Sequence, residues 1–276
     1  MPDNRKFIVS LADRLHVEAV WYGSGTLCLS SQAGCALSCP FCASGRRGLQ
    51  RNLTTEELHL QLAVCRREGI EPQRLTLSGI GEPLQNLDNL EQFMADCRRQ
   101  DLPVSLTTTG APLAHLVRLL ALPHNGIMFS VHAGSDAVYR QLLPKGPGLV
   151  PLRQRLAALW PRLSGRQRRK LGVNYLLLAG VNDLPAELAA LVDWLQPFPE
   201  MTLHLLSCNP VPGSIYHSPT ALQTDRVHGF FRQRGINVRR ANHWRRQQEG
   251  GCGTLVLGGE AIGNTAGSQP QVFRSD

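Results

Sequence analysis

The chain has 276 residues, with 29 Lys and Arg against 21 Asp and Glu, and is 42% hydrophobic and 18% charged. That composition excludes a disordered chain, and no apolar run approaches the roughly 18 residues of a membrane span. Residues Met1 to Lys6 lack the apolar stretch of a secretory signal, so a soluble, cytoplasmic protein is expected. A net charge of +8 permits an anionic partner such as nucleic acid without requiring one.

Phe7, Val9 and Leu11 alternate, Ala12 to Arg14 reads as a turn, and Leu15, Val17 and Ala19 alternate again, which predicts a β-hairpin over residues 5–22. Thr26 to Ser31 reads as a strand. Thr54 and Glu57 make a capping box, opening a helix that Gly69 can end. Further strands are expected at Arg74–Ser78, Val104–Thr107, Ile127–Val131, Val173–Leu178 and Thr202–Leu206. Helical patterns lie between them, near 88–99, 112–121, 151–160 and 185–195. A last helix near 220–234 precedes an expected strand pair, Ile236–Arg239 and Thr254–Leu257. Six strand-then-helix units in series predict an α/β fold with a parallel sheet and right-handed crossovers. Six units fall short of a closed eight-unit barrel, so an open or partial barrel is expected.

Several polar segments follow directly on strand C-termini. They are Ser31-Gln32, Ser78 to Pro83, Thr107 to Gly110, Ser130 to His132, and Ser207 to Pro210. In parallel α/β folds these ends converge on the ligand-binding face.

Of eight cysteines, Cys28, Cys35, Cys39 and Cys42 crowd into 15 positions. Cys35, Cys39 and Cys42 form a C-x3-C-x2-C set that can hold one soft-metal centre. Three cysteines suit a [4Fe–4S] cluster with one open iron. A closed zinc site needs a fourth ligand, which Cys28 could supply from its strand; chance spacing is the third alternative. Cys65 and Cys97 lie in helical patterns and read as buried apolar residues. Cys208 stays undecided.

Set after the first strand of a βα repeat, this cysteine triad resembles the radical S-adenosylmethionine (SAM) superfamily. The flanks resemble one branch of it. Ser30 to Gly45, Arg51 to Thr54, Gly79 to Asn86, Thr107 to Gly110, Ser130 to Ala133, Leu178 to Asp183, Asn209 to Gly213 and Gly251 to Leu255 follow, in order, the RlmN/Cfr-like family of RNA adenosine methyltransferases. The resemblance implies a partial (β/α)6 radical SAM barrel: a hairpin extension over 1–24, a core over 25–265 and a frayed tail over 266–276. It implies a [4Fe–4S] cluster on Cys35, Cys39 and Cys42. It implies SAM held by Gly81, Glu82, Thr107, Ser130, Val131, His132 and Asn209, with Glu82 accepting from the SAM amino group. Cys252 would carry a methyl group taken from one SAM, and a second SAM would yield the radical that activates it. Cys28 would resolve the resulting adduct through a disulfide with Cys252. Glu18 matches a family glutamate; an active-site role and an exposed strand carboxylate are the alternatives. Ribosomal or transfer RNA would be the substrate, with flavodoxin or ferredoxin as electron donor.

The sequence departs from the family on the substrate side. About four residues precede the first hairpin strand, where the family carries an N-terminal domain associated with RNA binding. Asn174 stands where the family usually has Glu, and Thr254 where it usually has Gln. These departures keep a second reading open: the same radical methyl transfer on a nucleotide or peptide. Basic groups offer an RNA surface instead: Arg46, Arg47 and Arg51; Arg162, Arg166, Arg168, Arg169 and Lys170; Arg239, Arg240, Arg245 and Arg246. The 162–170 group reads equally as a solvated charge run. His243 and Trp244 are candidates for stacking on a base.

Overall fold

A computed structural model describes residues 4–246 and 253–256. β1 (Arg5–Ser10) and β2 (His16–Tyr22) form the expected antiparallel hairpin, with Phe7 opposite Ala19 and Val9 opposite Val17. These four side chains are buried on one face, which fixes the register. β2 pairs antiparallel with β3 (Thr26–Leu29). A small separate hairpin follows, β4 (Gln32–Gly34) with β5 (Leu49–Asn52). Then come α1 (Thr55–Arg67), β6 (Arg74–Leu77), α2 (Leu87–Arg99), β7 (Val104–Thr108), α3 (Leu116–Ala121) and β8 (Gly126–Ser130). The second half runs α4 (Asp136–Leu142), α5 (Leu149–Leu159), α6 (Gly165–Arg168), β9 (Leu171–Leu177), α7 (Pro185–Leu195), β10 (Thr202–Ser207), α8 (Ala221–Gln233) and β11 (Val238–Arg240).

The main sheet has nine strands in the order β1-β2-β3-β6-β7-β8-β9-β10-β11. From β3 onward every pairing is parallel. Strands added in one direction by right-handed crossovers place the helices on one face. Towards that face point Leu27, Leu75, Leu106, Phe129, Val173 and Leu203, all buried. The opposite side chains are more polar: Cys28 pairs with Thr76, Thr76 with Ser105, Ser130 with Asn174, and Asn174 with His204. Strand alternation therefore gives a concave inner face rich in polar groups. The two sheet edges approach each other, because Asn4 Nδ2 donates to the Trp244 carbonyl at 2.6 Å. The result is the partial barrel with an N-terminal hairpin expected from the sequence.

Two details differ. Thr254–Val256 forms no strand; it docks on a loop, as described below. The β4–β5 hairpin is not readable from the sequence, because strands of three and four residues show no alternation, and α4, at two turns, is too short for a clear helical period. Among the described residues no helix is long and apolar enough to cross a membrane.

Candidate active site

The cysteine loop lies between β4 and β5. It is closed at its base by the Cys35 N–H, which donates to the Gly48 carbonyl at 3.1 Å. Gly34 makes this closure possible: it sits at φ +81, and a Cβ there would stand 2.0 Å from the Gly48 oxygen. Cys35 is buried, and Cys39 and Cys42 are half-buried. Burial pushes the Cys35 thiol up to about 11, and charge on Cys42 adds to the shift. Cys39 is also raised well above the usual thiol range, first by burial and then by Cys42 and Cys35. Three desolvated thiols that repel one another as thiolates form a donor set that a cationic soft centre satisfies.

Among the described residues, no three His, Cys, Asp or Glu side chains surround a single ion position. A zinc ion needs its ligands about 2.3 Å away around one point. The cysteines of an iron–sulfur cluster bind separate irons and stand farther apart. By donor count, three cysteines leave a closed zinc site one ligand short, whereas a [4Fe–4S] cluster takes three and leaves one iron open. Cys28 is not part of this loop. It is buried in β3, with Sγ 3.3 Å from Ser78 Oγ on the inner face.

Buried amides hold the neighbouring strand ends. Gln61 on α1 accepts from the Ser30 N–H at 2.8 Å and donates to its carbonyl at 3.0 Å. Asn86 donates to the Ser31 and Leu53 carbonyls at 2.7 and 2.8 Å. Gln32 accepts from the Glu82 N–H at 2.8 Å. Gly81, at φ +108, packs so tightly that a Cβ would come within 2.6 Å of the Gln32 side chain. Glu82 is fully buried, and desolvation raises its pKa. Its carboxylate accepts from the Thr108 hydroxyl, the Leu84 N–H, the Thr109 N–H and the Thr109 hydroxyl. Those four donors match its lone-pair capacity. Glu82 thus ties the β6 and β7 ends together at the place where the sequence puts a SAM contact. Thr107 lies one position earlier, on β7, paired with Met128.

Ser130, Val131 and His132 follow on β8. The Val131 N–H donates to the Asn174 carbonyl at 3.2 Å. His132 sits at φ +56 and is buried. Its Nδ1 accepts from the Leu176 N–H at 3.0 Å, and burial lowers its pKa to about 4. The ring is thus neutral, with the proton on Nε2. It meets Phe41 of the cysteine loop edge-on at 5.4 Å. Asn182 secures this turn by donating to the His132 and Leu176 carbonyls at 2.8 and 2.7 Å. Asn86 and Asn182 fall within segments that carry the family resemblance but have no role assigned from the sequence, and Gln61 lies outside them. The readable signal was an amide at a core-facing position, as with Gln61 beside Leu58 and Leu62.

The chain's far end comes to the same place. The Ala43 N–H donates to the Gly253 carbonyl at 2.8 Å, and Ser44 Oγ donates to the Leu255 carbonyl at 2.7 Å. A Cβ on Gly253 would lie 3.9 Å from the Cys42 Cα. The Val256 N–H donates to Glu18 Oε2 at 3.1 Å, and Lys6 pairs with Glu18 at 3.3 Å. Glu18 is buried, not the exposed strand carboxylate that was the alternative. Cys252 itself lies outside the described residues, as does the tail from 266. Asn209, after β10, donates to the Arg245 carbonyl at 3.1 Å.

The basic groups separate. Arg51 is bound by Glu57 at 2.7 and 2.8 Å and by Asp13 at 2.7 Å, which removes it from the proposed RNA surface. Trp244 is buried and its ring is not available for stacking; His243 beside it is exposed. Residues 162–170 precede β9 and therefore lie at the sheet end opposite the cysteine loop. Cys65 and Cys97 are buried and pushed up to about 12 by desolvation, as expected of apolar packing residues.

Known proteins match this arrangement. The radical SAM superfamily profile matches residues 29–159. The dual-specificity RNA methyltransferase RlmN of Marinobacter nauticus is 32% identical over 270 residues, covering 91% of this chain and 72% of its own length. RlmN of Phenylobacterium zucineum is 34% identical over 236 residues, covering 77% of this chain and 59% of its own length. A crystal structure of a radical SAM methyltransferase from Sphaerobacter thermophilus superposes with a TM-score of 0.77 at 26% identity, covering 92% of this chain and 77% of that one. Fold, cysteine loop and sequence agree, and the chain belongs to the radical SAM superfamily, in the RlmN-like family of methyltransferases.

Proposed function

We propose that the protein methylates a carbon atom of adenosine in ribosomal or transfer RNA through a methyl group carried on Cys252. One observation carries the reading: residues 253–256, directly after Cys252, are hydrogen-bonded to the cysteine loop at Ala43 and Ser44 and to Glu18. A loop that served only as a metal staple would not need the far end of the chain beside it.

Cys35, Cys39 and Cys42 would hold a [4Fe–4S] cluster, and SAM would lie along the β6–β10 ends, among Gly81, Glu82, Thr107, Ser130, Val131, His132 and Asn209. When bound, the two supply reductive cleavage of SAM and the methyl group itself. Glu82 keeps the β6 and β7 ends in place. Neutral His132 presents its Nε2–H, with Nδ1 already engaged. Phe41 and Leu176 help cap the mouth of the barrel against water. Cys28 Sγ sits on the inner face beside Ser78, from where it would exchange with Cys252 to release the product. A ring carbon flanked by nitrogens is not nucleophilic, so radical addition reaches it where polar methyl transfer does not. RNA as substrate rests on the RlmN relatives.

Anaerobic reconstitution with iron and sulfide, followed by SAM, reductant and total RNA, tests the proposal. The expected products are methyladenosine in RNA and an added methyl mass on the Cys252 peptide. Absence of both refutes the mechanism. A methylated Cys252 without methyladenosine in any RNA pool refutes the substrate alone, in favour of the nucleotide or peptide reading.

A further inference from the structure

The 162–170 basic group, placed away from the cysteine loop, forms part of a cavity. At the N-terminal ends of β7, β8 and β9, a hollow of about 460 Å³ is lined by Arg98, Asp101, His124, Asn125, Arg166 and Lys170, among others. Three separate connections bring these residues together: the end of α2, the turn before β8, and the α6–β9 link. Neighbouring Arg99 and Arg168 are ion-paired with Asp96 and Glu200. Arg98, Arg166 and Lys170 have no ion-pair partner among the described residues, and Asp101 stands beyond pairing distance of all three. Lys170 Nζ donates to the His124 carbonyl at 3.1 Å, which anchors it at the wall and leaves its charge uncompensated. Arg98 and Arg166 are solvent-exposed. Three converging cations around a hollow, against one acid, suit a phosphate group.

We infer that this hollow receives a backbone phosphate of the RNA at a distance from the methylated nucleotide. The inference rests on the RNA reading above. β9 has seven residues, so the hollow lies about 20 Å from the barrel mouth along the strands. A short RNA helix covers that span. A contact there carries no sequence information; it adds affinity and fixes orientation. A free nucleotide would present the same phosphate chemistry, and the test separates the two sources.

The experiment measures binding of a fluorescein-labelled RNA hairpin to the full chain over a series of KCl concentrations, with AMP titrated in parallel. The variants are R98Q/R166Q, which leaves the Lys170 anchor intact, and R98Q/R166Q/K170Q. Circular dichroism confirms that each is folded. The expected result is a salt slope shallower by about 1 in the triple variant, with affinity about tenfold weaker at moderate salt and the double variant intermediate. Unchanged slope and affinity in both variants, while the wild-type chain binds RNA, overturn the inference and leave the proposed function standing. Loss of AMP affinity with RNA binding intact assigns the hollow to a free nucleotide and also overturns it. Failure of the wild-type chain to bind RNA at all removes the RNA substrate, and this contact with it.

Discussion

At the scale of single residues, the site depends on buried polar side chains that each satisfy several backbone groups. Asn182 is the clearest case. It donates to two carbonyls, and its Oδ1 accepts from the Leu178 N–H at 2.8 Å. Alanine at 182 strands three buried groups in a low-dielectric site. Each unsatisfied group costs about 1–3 kcal/mol, so urea denaturation should show a loss of about 3 kcal/mol or more. The same substitution frees the left-handed turn at His132, so SAM affinity measured by equilibrium dialysis should weaken in whatever fraction remains folded. Gln61→Leu is a milder test. It removes the Gln61 bonds to the Ser30 N–H and carbonyl while keeping the side chain's bulk, and about 2 kcal/mol of destabilisation is expected by the same method.

At the scale of elements, local signals were reliable where a device is contained in one stretch of chain. The capping box is present as read: Glu57 N–H donates to Thr54 Oγ1, and the Thr54 N–H donates to the Glu57 carboxylate. Thr54→Ala should therefore lower the midpoint of thermal unfolding by an amount equivalent to about 1 kcal/mol. The hairpin and the six strand–helix units were legible for the same reason, since periods of 2 and 3.6 are written locally. What escaped depends on distant partners. Arg51 reads as a free cation in a basic loop, yet Asp13 and Glu57 bind it on two sides. The four donors that converge on Glu82 come from the ends of two strands, and nothing near it in the sequence announces them. Trp244 reads as an exposed aromatic among arginines, yet it is buried in the core and its carbonyl accepts from Asn4. Nothing in the spacing of 162–170 says which end of the barrel it occupies; only the strand order does.

At the scale of the whole molecule, two properties follow from the way the barrel is assembled. The first is acid sensitivity. His124, His132 and His204 are each held at about 4, chiefly by burial, against an ordinary 6.5. The unfolded chain then binds more protons than the folded one between those values. Their contribution to stability is present in full above pH 6.5 and is lost as pH falls towards 4, by up to about 3 kcal/mol per group. Unfolding midpoints measured from pH 7.5 to 4 should fall most steeply in that window, and His132→Gln should flatten the curve. The second property is that the two ends of the chain meet at the loop between them. Lys6 and Glu18 come from the first hairpin, Ala43 and Ser44 from the cysteine loop, and Gly253 to Val256 from the far end. Two of these ties to the last segment run through side chains, Glu18 and Ser44. Neither residue is a cluster ligand. The double variant E18A/S44A should therefore retain its full iron content after reconstitution. Amide hydrogen exchange should speed up at Val256, and methyl incorporation at Cys252 should drop at least several-fold. If exchange rises while Cys252 methylation holds at the wild-type rate, the docked position of this segment has no part in loading the methyl group.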